Sequence, residues 1–253
     1  MTSNKPPKKY NAAKLGSNKE DSNLTYILGG VAVVAIIALI IIFVVLPGKK
    51  SDEALVVDYG TPTAAEVQLM SNGIIRSGNQ DVPVTLDIYE DFMCPACAGF
   101  EAQYGADVTQ AIEDGKIAVR FHMLNFLNKS SASGDYSTRA AAGAQCIADS
   151  GNRAAFTAYH SQLFVQGVQP AEGGPTDHSN EDLAALAKAA GADDATVECV
   201  STGANVDAAA TSAEFSTNEL SKKTGGQVST PSVFNGGDKI DPSNGAWLTD
   251  IIG

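Results

Sequence analysis

Two of the four cysteines in this chain of 253 residues are spaced for redox chemistry. Cys94 and Cys97 form the motif Cys94-Pro95-Ala96-Cys97 between a predicted buried strand and a predicted helix. Cys94 then falls near the helix N-terminus, where unpaired amides and the helix dipole favour an anion, and Pro95 suits the first helical turn. Cys97 lies on the same helical face and can close onto Cys94. The motif predicts a redox pair in which Cys94 is the nucleophile and a buried Cys97 is the resolving residue.

Three other interpretations of this motif remain open, although each fits less well. The two cysteines could form an inert structural disulfide. A zinc site that adds Cys146 and Cys199 is disfavoured because structural zinc sites normally combine two closely spaced pairs, and these two lie far apart in sequence. A Cys-His hydrolase is disfavoured because the three histidines give it no positional support.

Cys146 and Cys199 each lie in a predicted helical segment with small or apolar neighbours. We expect them to form a structural disulfide, which would contribute about 4 kcal/mol in the chain-entropy description. Two separate buried thiols are the main alternative, and a second redox pair is less favoured. Cysteine is otherwise scarce, so the chain is not a disulfide scaffold.

The segments around the motif predict the elements that position it. The stretch Val84 to Tyr89 reads as a strand covered on both faces, and a second alternating run extends from Ile117 to Met123. Between them, Pro95 to about Asp114 is long enough for one helix. We therefore expect a right-handed β-α-β unit with parallel strands.

From about Leu127 to Gly226 the composition is rich in alanine and helical in pattern. Asn152 and Asn180 are predicted N-caps, and Gly191 is a predicted helix terminator. Strand signals then return at Ser232 to Asn235 and at Lys239-Ile240, followed by a short helix from about Ala246. The sequence predicts an α/β domain that is interrupted by an all-helical domain.

Composition and charge restrict the class of function. Hydrophobic residues make up 44% of the chain and charged residues 18%, which is typical of globular protein. The net charge is −12, from 17 basic and 29 acidic residues. Nucleic-acid binding is therefore disfavoured, because it requires basic surface to neutralise phosphates.

The N-terminal part predicts a membrane anchor. Residues 24–46 contain no charged side chain and would reach about 35 Å as a helix, enough to cross a hydrocarbon core of about 30 Å. A cleaved signal peptide and a buried soluble helix fit less well, because the run is long and lacks polar positions. Five lysines precede it and two come after it, so the positive-inside rule keeps a disordered tail, residues 1–23, in the cytoplasm and exports residues 51–253. Residues 47–61 would form a linker.

The segment Val84 to Glu101 resembles the active-site strand and helix of DsbA-like thiol:disulfide oxidoreductases, and in particular the membrane-anchored actinobacterial members. The similarity continues in the family's order through three further segments, which are Lys116 to Leu124, Thr138 to Cys146 and Val228 to Phe234. It covers about 170 residues.

The resemblance implies a thioredoxin fold with an inserted all-helical domain, preceded by one transmembrane helix. The thioredoxin domain would comprise residues 62–126 and 227–253, and the helical insertion residues 127–226. Thr230-Pro231 would form a cis-proline loop that faces the redox motif. There the Thr230 backbone could pair with an extended substrate as an added strand.

Several positions depart from the family pattern. Many relatives have a polar residue at the position of Ala96, which can give neither charge nor a side-chain hydrogen bond to Cys94. The strand acid that many members carry six residues before the first cysteine is replaced by Ile88.

Asp91 matches an acid that commonly precedes the motif, so it is a candidate for tuning or proton transfer, against a solvated or helix-capping carboxylate. His122 and His160 are expected to be structural.

The sequence therefore predicts a membrane-tethered, extracytoplasmic oxidoreductase that introduces disulfides into unfolded exported proteins with free thiols. The resemblance implies reoxidation by an integral-membrane, quinone-linked partner, and the chemistry needs no metal or bound cofactor. A reductase or isomerase of the same fold is the nearest alternative. A non-enzymatic binding module of the cell envelope is the alternative from another class.

Overall fold

The computed structural model describes residues 65–253. The predicted tail at 1–23, membrane span at 24–46 and linker at 47–61 all lie outside the described residues. Within residues 65–253, no helix combines the length and the apolar character needed to cross a membrane.

A six-stranded sheet forms the centre of this part of the chain, with the strands in the order β1-β2-β4-β3-β5-β6. Strands β3 and β4 pair in parallel, and the other neighbours pair antiparallel. The bounds are Val67–Leu69 for β1, Ile75–Ser77 for β2, Val84–Glu90 for β3, Ile117–Met123 for β4, Ser232–Asn235 for β5 and Asp238–Ile240 for β6.

Seven α-helices accompany this sheet within residues 65–253. Helix α1 connects β3 to β4, so the predicted parallel β-α-β unit is confirmed. The helical block comes after β4, and a short C-terminal helix comes after β6. The bounds are Pro95–Glu113 for α1, Tyr136–Asp149 for α2, Arg153–Leu163 for α3, Asn180–Ala189 for α4, Asp194–Thr202 for α5, Val206–Lys223 for α6 and Trp247–Ile252 for α7.

The core lies on both faces of the sheet because successive side chains of a strand point to opposite sides. Leu86 and Ile88 of β3 are buried in the larger cluster, together with Phe100 of α1 and Trp247 of α7. Tyr89, the next residue along, belongs to a second cluster with Leu220 of α6. Helix α6 therefore packs on the sheet although it belongs to the predicted helical insertion.

Two local features differ from the sequence prediction. The hairpin of β1 and β2 was not predicted, because each strand has only three residues and shows too little alternation. Its turn does carry an Asn72-Gly73 signal, and Gly73 adopts a φ of 78° that favours glycine.

The predicted N-cap at Asn180 was wrong, because the cap of α4 is Ser179. The Ser179 hydroxyl accepts a hydrogen bond from the Asp182 amide, and the Asp182 carboxylate accepts one from the Ser179 amide. This reciprocal pair satisfies two amides at once, which a cap at Asn180 would not do. The predicted cap at Asn152 is confirmed, since its side chain accepts from the Ala155 amide.

Cys146 of α2 and Cys199 of α5 form a disulfide, with their Cα atoms 6.0 Å apart. The bond ties two helices of the helical block together. It also excludes a zinc site that uses all four cysteines. Close packing supports the same region, since a Cβ atom added at Gly143 would clash with the Tyr159 hydroxyl group.

A buried carboxylate connects α6 to the sheet on the side away from α1. Asp87 of β3 accepts two hydrogen bonds from Arg120 at 2.7 and 2.8 Å, and it pairs with His122 at 2.9 Å and with Lys223 of α6 at 3.3 Å. Burial alone would raise the pKa of Asp87, but the hydrogen bonds from His122 and Arg120 outweigh it and lower the pKa to about 2.

This cluster predicts a specific loss of stability in acid. The pKa of Asp87 is about 2 in the folded protein and 3.8 for the ordinary group, so its ionised form stabilises the fold above pH 4 and loses that effect as the pH falls towards 2. The pH-dependent part amounts to about 2 kcal/mol. The free energy of unfolding is measured by urea unfolding, monitored by the fluorescence of Trp247. The difference in this free energy between wild type and Asp87→Asn should become smaller by that amount between pH 7 and pH 2.

Asp114→Asn is the matched control for this measurement, because Asp114 is an exposed carboxylate. Its unfolding free energy should stay close to that of the wild type throughout. If the difference in unfolding free energy between wild type and Asp87→Asn did not change between pH 7 and pH 2.5, the lowered pKa of Asp87 would be contradicted.

Candidate active site

The two free thiols of residues 65–253 meet at the start of α1. Cys94 is the N-cap residue of this helix, with extended backbone dihedrals, and Pro95 occupies the first helical position. Cys94 is 7% exposed, whereas Cys97 is fully buried one turn into the helix. The spacing of the motif therefore leaves one sulfur within reach of solvent and buries the other.

Several donors converge on the Cys94 sulfur and lower its pKa to about 6. The largest contribution is a hydrogen bond from the Cys97 thiol, which burial partly opposes. The backbone amides of Cys97 and Ala96 lower the pKa further. These donors favour the anion in the way that the amide-rich start of a helix does in general.

Cys97 behaves in the opposite way. Burial raises the pKa of its thiol well above the ordinary value, and the hydrogen bond to Cys94 and the nearby Glu90 carboxyl raise it further. The Cys97 thiol therefore keeps its proton under conditions where Cys94 loses one. The difference in ionisation between the two sulfurs comes from their burial and from the bond between them.

The loop before β5 brings a third segment to the site. The Thr230-Pro231 peptide bond is cis, and the Thr230 carbonyl accepts a hydrogen bond from the Cys94 thiol, with 3.5 Å between sulfur and oxygen. Strand β5 begins at Ser232, which pairs with Tyr89 of β3. Because β3 leads into the redox motif, the pairing of β3 with β5 holds the two loops side by side.

Asp91 fixes the turn that precedes Cys94. Its carboxylate accepts hydrogen bonds from the Met93 amide at 3.0 Å and the Leu127 amide at 3.1 Å, and it is fully buried. The alternatives of a solvated or a helix-capping carboxylate are therefore wrong. Burial raises the pKa of Asp91 to about 6, against the effect of these hydrogen bonds.

The two residues between the cysteines, Pro95 and Ala96, are exposed. The backbone amide of Ala96 helps to lower the pKa of Cys94. The structure thus brings together Cys94, Cys97, Asp91, Thr230 and Pro231, whereas the Cys146–Cys199 disulfide lies within the helical block.

A buried acidic cluster beneath the cysteines was missed by sequence reasoning. Glu90 ends β3, Glu101 lies one turn of α1 after Cys97, and His160 comes from α3. The His160 Nε2 lies 3.0 Å from a Glu90 oxygen, and its Nδ1 lies 3.8 Å from a Glu101 oxygen. The position of Glu101, four residues after the buried Cys97 and hence on the same helical face, was an available signal.

Burial governs the ionisation of this cluster. It raises the pKa of both Glu90 and Glu101, and negative charge on Cys94 raises that of Glu90 further. Burial lowers the pKa of His160. The ligand atoms of the three side chains lie within 4.8 Å of one another, which is close enough to hold a metal ion. Burial therefore favours the protonated form of both carboxyls.

A dithiol at the start of the helix after the central strand, on a sheet of this topology, defines the class of thiol:disulfide oxidoreductases. A sequence model of the family described as Thioredoxin matches residues 71–252. The chain belongs to this family and is a DsbA-like disulfide oxidoreductase.

Solved structures from actinobacteria are similar in fold and sequence. The MdbA protein of Corynebacterium matruchotii, a thiol-disulfide oxidoreductase, is 29% identical, with a TM-score of 0.67 over 76% of this chain and 94% of that chain. DsbA of Mycobacterium tuberculosis in its reduced form is 27% identical, with a TM-score of 0.59 over 71% of this chain and 92% of that chain.

Among curated proteins, the chain is 34% identical over 191 residues to the serine/threonine-protein kinase PknE of Mycobacterium tuberculosis. The match covers 75% of this chain and 33% of the kinase. The chain thus spans about a third of the length of the curated relatives that it matches.

The hydrogen bond between the two thiols predicts how Cys94 responds to changes at Cys97. Cys97→Ala removes the donor, so the pKa of Cys94 should rise from about 6. Cys97→Ser is the matched control, because its hydroxyl can still donate to the Cys94 sulfur. The measurement is the ultraviolet absorbance of the thiolate as a function of pH, and equal midpoints for the two variants would contradict the assigned bond.

Proposed function

We propose that this thiol:disulfide oxidoreductase acts as an oxidase that introduces disulfide bonds into exported polypeptides. The observation that carries the proposal is the lowered pKa of Cys94, about 6, at the N-terminus of α1. A thiolate stabilised in this way favours the reduced form of the enzyme, and the oxidised form then gives up its disulfide readily to a substrate.

The exchange reaction proceeds in two steps. A substrate thiolate attacks the Cys94 sulfur of the oxidised pair, the bond between Cys94 and Cys97 breaks, and Cys97 leaves with the electron pair. Cys97 then takes up a proton, because its pKa is raised well above the ordinary value. A second substrate thiolate attacks the substrate sulfur of the mixed disulfide and releases Cys94 as a thiolate. The substrate loses two electrons, and the enzyme pair gains them.

The buried carboxyls are placed to assist the proton uptake by Cys97. Glu90 lies close enough to affect the ionisation of both cysteines, and Glu101 and His160 continue the cluster away from them. The cluster borders a small cavity lined by Glu101, His160 and Thr109. Protons released or taken up at Cys97 thus have titratable groups beside them.

The cis-proline loop is placed to hold the substrate. The Thr230 carbonyl accepts a hydrogen bond from the Cys94 thiol at 3.5 Å, so the loop backbone lies against the reactive sulfur. An extended substrate segment can pair with this backbone as an added strand, which aligns its cysteine without selecting a particular side-chain sequence. Such binding suits an enzyme that acts on many unfolded chains.

The cellular setting is part of the same proposal. Residues 24–46 would anchor the chain with residues 1–23 in the cytoplasm and the catalytic domain outside, where disulfides persist. The reduced enzyme would pass its electrons to an integral-membrane, quinone-linked reoxidase. The charge-free run of 23 residues and the lysines before it support this arrangement.

The reduction potential distinguishes an oxidase from a reductase. Full-length protein in detergent is equilibrated with mixtures of reduced and oxidised glutathione, and the fraction of Cys94–Cys97 disulfide is determined by alkylation. We expect a potential well above that of thioredoxin, about −270 mV, and towards that of DsbA, about −120 mV. The oxidised protein should also oxidise reduced ribonuclease.

Cys94→Ser is the control for this assay, and it should leave the Cys146–Cys199 disulfide intact while abolishing ribonuclease oxidation. A wild-type potential near that of thioredoxin would instead assign the chain as a reductase or isomerase.

The anchor predicts the behaviour of the chain in fractionated cells. Full-length protein should remain in the membrane after carbonate extraction, and protease added to spheroplasts should digest residues 65–253. The double variant Val34→Lys and Ile37→Lys places two charges at the centre of the span, at about 3 kcal/mol each, and should prevent stable insertion. Release of the wild type by carbonate, or protection of its catalytic domain, would refute the proposed topology.

A further inference from the structure

A loop of the helical block reaches the redox motif through one side chain. Gln169 lies between α3 and α4, about 75 residues from the motif in sequence. Its Nε2 donates to the Phe92 carbonyl and to the Cys94 carbonyl, each at 3.1 Å. Two carbonyl oxygens can be satisfied together only by the NH₂ end of this side chain, so the orientation of the amide is fixed by chemistry.

The two carbonyls belong to the turn that presents the reactive sulfur. On one side, Asp91 holds the turn through the Met93 amide, and the Cys94 amide donates to the Asp91 carbonyl at 2.8 Å. Gln169 holds the turn from the other side. Phe92 is fully buried, so its carbonyl needs a donor from the protein. Gln169 supplies that donor.

The loop that carries Gln169 is itself tied down. The Gln169 amide donates to the Val165 carbonyl at 3.0 Å, and the His178 Nε2 donates to the Val168 carbonyl at 2.7 Å. Arg139 of α2 binds the Asp177 carboxylate at 2.9 Å and the His178 carbonyl at 2.5 Å. Gln169 is thus presented by a loop whose position is set by the helical block.

We propose that Gln169 is a positioning residue for thiol–disulfide exchange, which holds the Phe92–Cys94 turn so that the Cys94 sulfur faces the amides of α1 and the Thr230 loop. The residue acts through the backbone and does not touch the reacting sulfur. It also links the helical block to the chemistry of the thioredoxin domain. The inference rests on the proposed role of Cys94 as the reactive sulfur.

Loss of Gln169 should weaken the stabilisation of the Cys94 anion for two reasons. The turn would lose its hold on one side, so the amides of Ala96 and Cys97 would be aligned less well with the sulfur. The positive end of the Gln169 amide dipole would also disappear from the vicinity of Cys94. The other groups that face this sulfur, Glu90 and Asp91 among them, would be unchanged.

The test compares Gln169→Met, which keeps the length of the side chain without its donors, with Gln169→Glu, which places a carboxylate against two carbonyls. Rates of alkylation of Cys94 by iodoacetamide are measured from pH 4 to 9 in the full-length protein. We expect both variants to react about two- to fivefold more slowly than wild type at pH 6, because the loss of both hydrogen bonds to the turn shifts the midpoint of Cys94 ionisation upward. The plateau rate at high pH should be unchanged.

Gln166→Met is the control, because Gln166 is exposed in the same loop, and it should show the wild-type profile. The glutathione equilibrium of the Gln169 variants should shift by a similar factor towards the oxidised enzyme. If the folded Gln169→Met or Gln169→Glu protein keeps the wild-type midpoint, the positioning role is refuted, and if one variant does not fold, the other decides. A wild-type midpoint near that of free cysteine would instead refute the proposed role of Cys94.

Discussion

The structure depends on one constraint, which is that a sulfur must be kept as an anion while it is almost completely covered by protein. Burial disfavours an isolated charge, so the Cys94 thiolate needs donors that are already in place. They come from the Cys97 thiol and from the amides at the start of α1, and the Thr230 backbone lies against the same sulfur. Separate parts of the chain therefore have to meet at one point. The parallel pairing of β3 with β4 and the antiparallel pairing of β3 with β5 provide that meeting.

The helical block is part of the active site as well as an addition to the fold. His160 of α3 lies against Glu90 beneath the cysteines, and Gln169 in the loop after α3 binds the turn above them. The Cys146–Cys199 disulfide and the ion pair of Arg139 with Asp177 hold the block itself together. A thioredoxin domain without this block would lack both contacts. The insertion therefore contributes residues to the surroundings of the redox pair.

Local patterns and remote contacts were predictable to different degrees. The strand from Val84 and the helix from Pro95 have clear signals, because apolar alternation and a proline at the first helical position act within a few residues. The β1–β2 hairpin is too short for its alternation to be recognised. The cluster of Glu90, Glu101 and His160 joins three elements, and each residue by itself resembles an ordinary polar or core position. The same holds for Gln169, since the two carbonyls that it binds are invisible in a sequence.

The two exposed residues between the cysteines, Pro95 and Ala96, have no side chain that donates a hydrogen bond to the thiolate. The reactivity of Cys94 therefore depends on backbone amides and on the residues around the motif. Ala96 has no side-chain donor, so the anion of Cys94 is stabilised by backbone amides and by its own partner Cys97. Cys97 can donate only while it keeps its proton, and burial beside Glu90 ensures that it does. The buried carboxyls and the reactive sulfur are thus coupled, because a negative charge on Glu90 opposes ionisation of both cysteines. Burial favours the protonated form of Glu90, which removes that opposition and so favours the thiolate on which the exchange reaction depends.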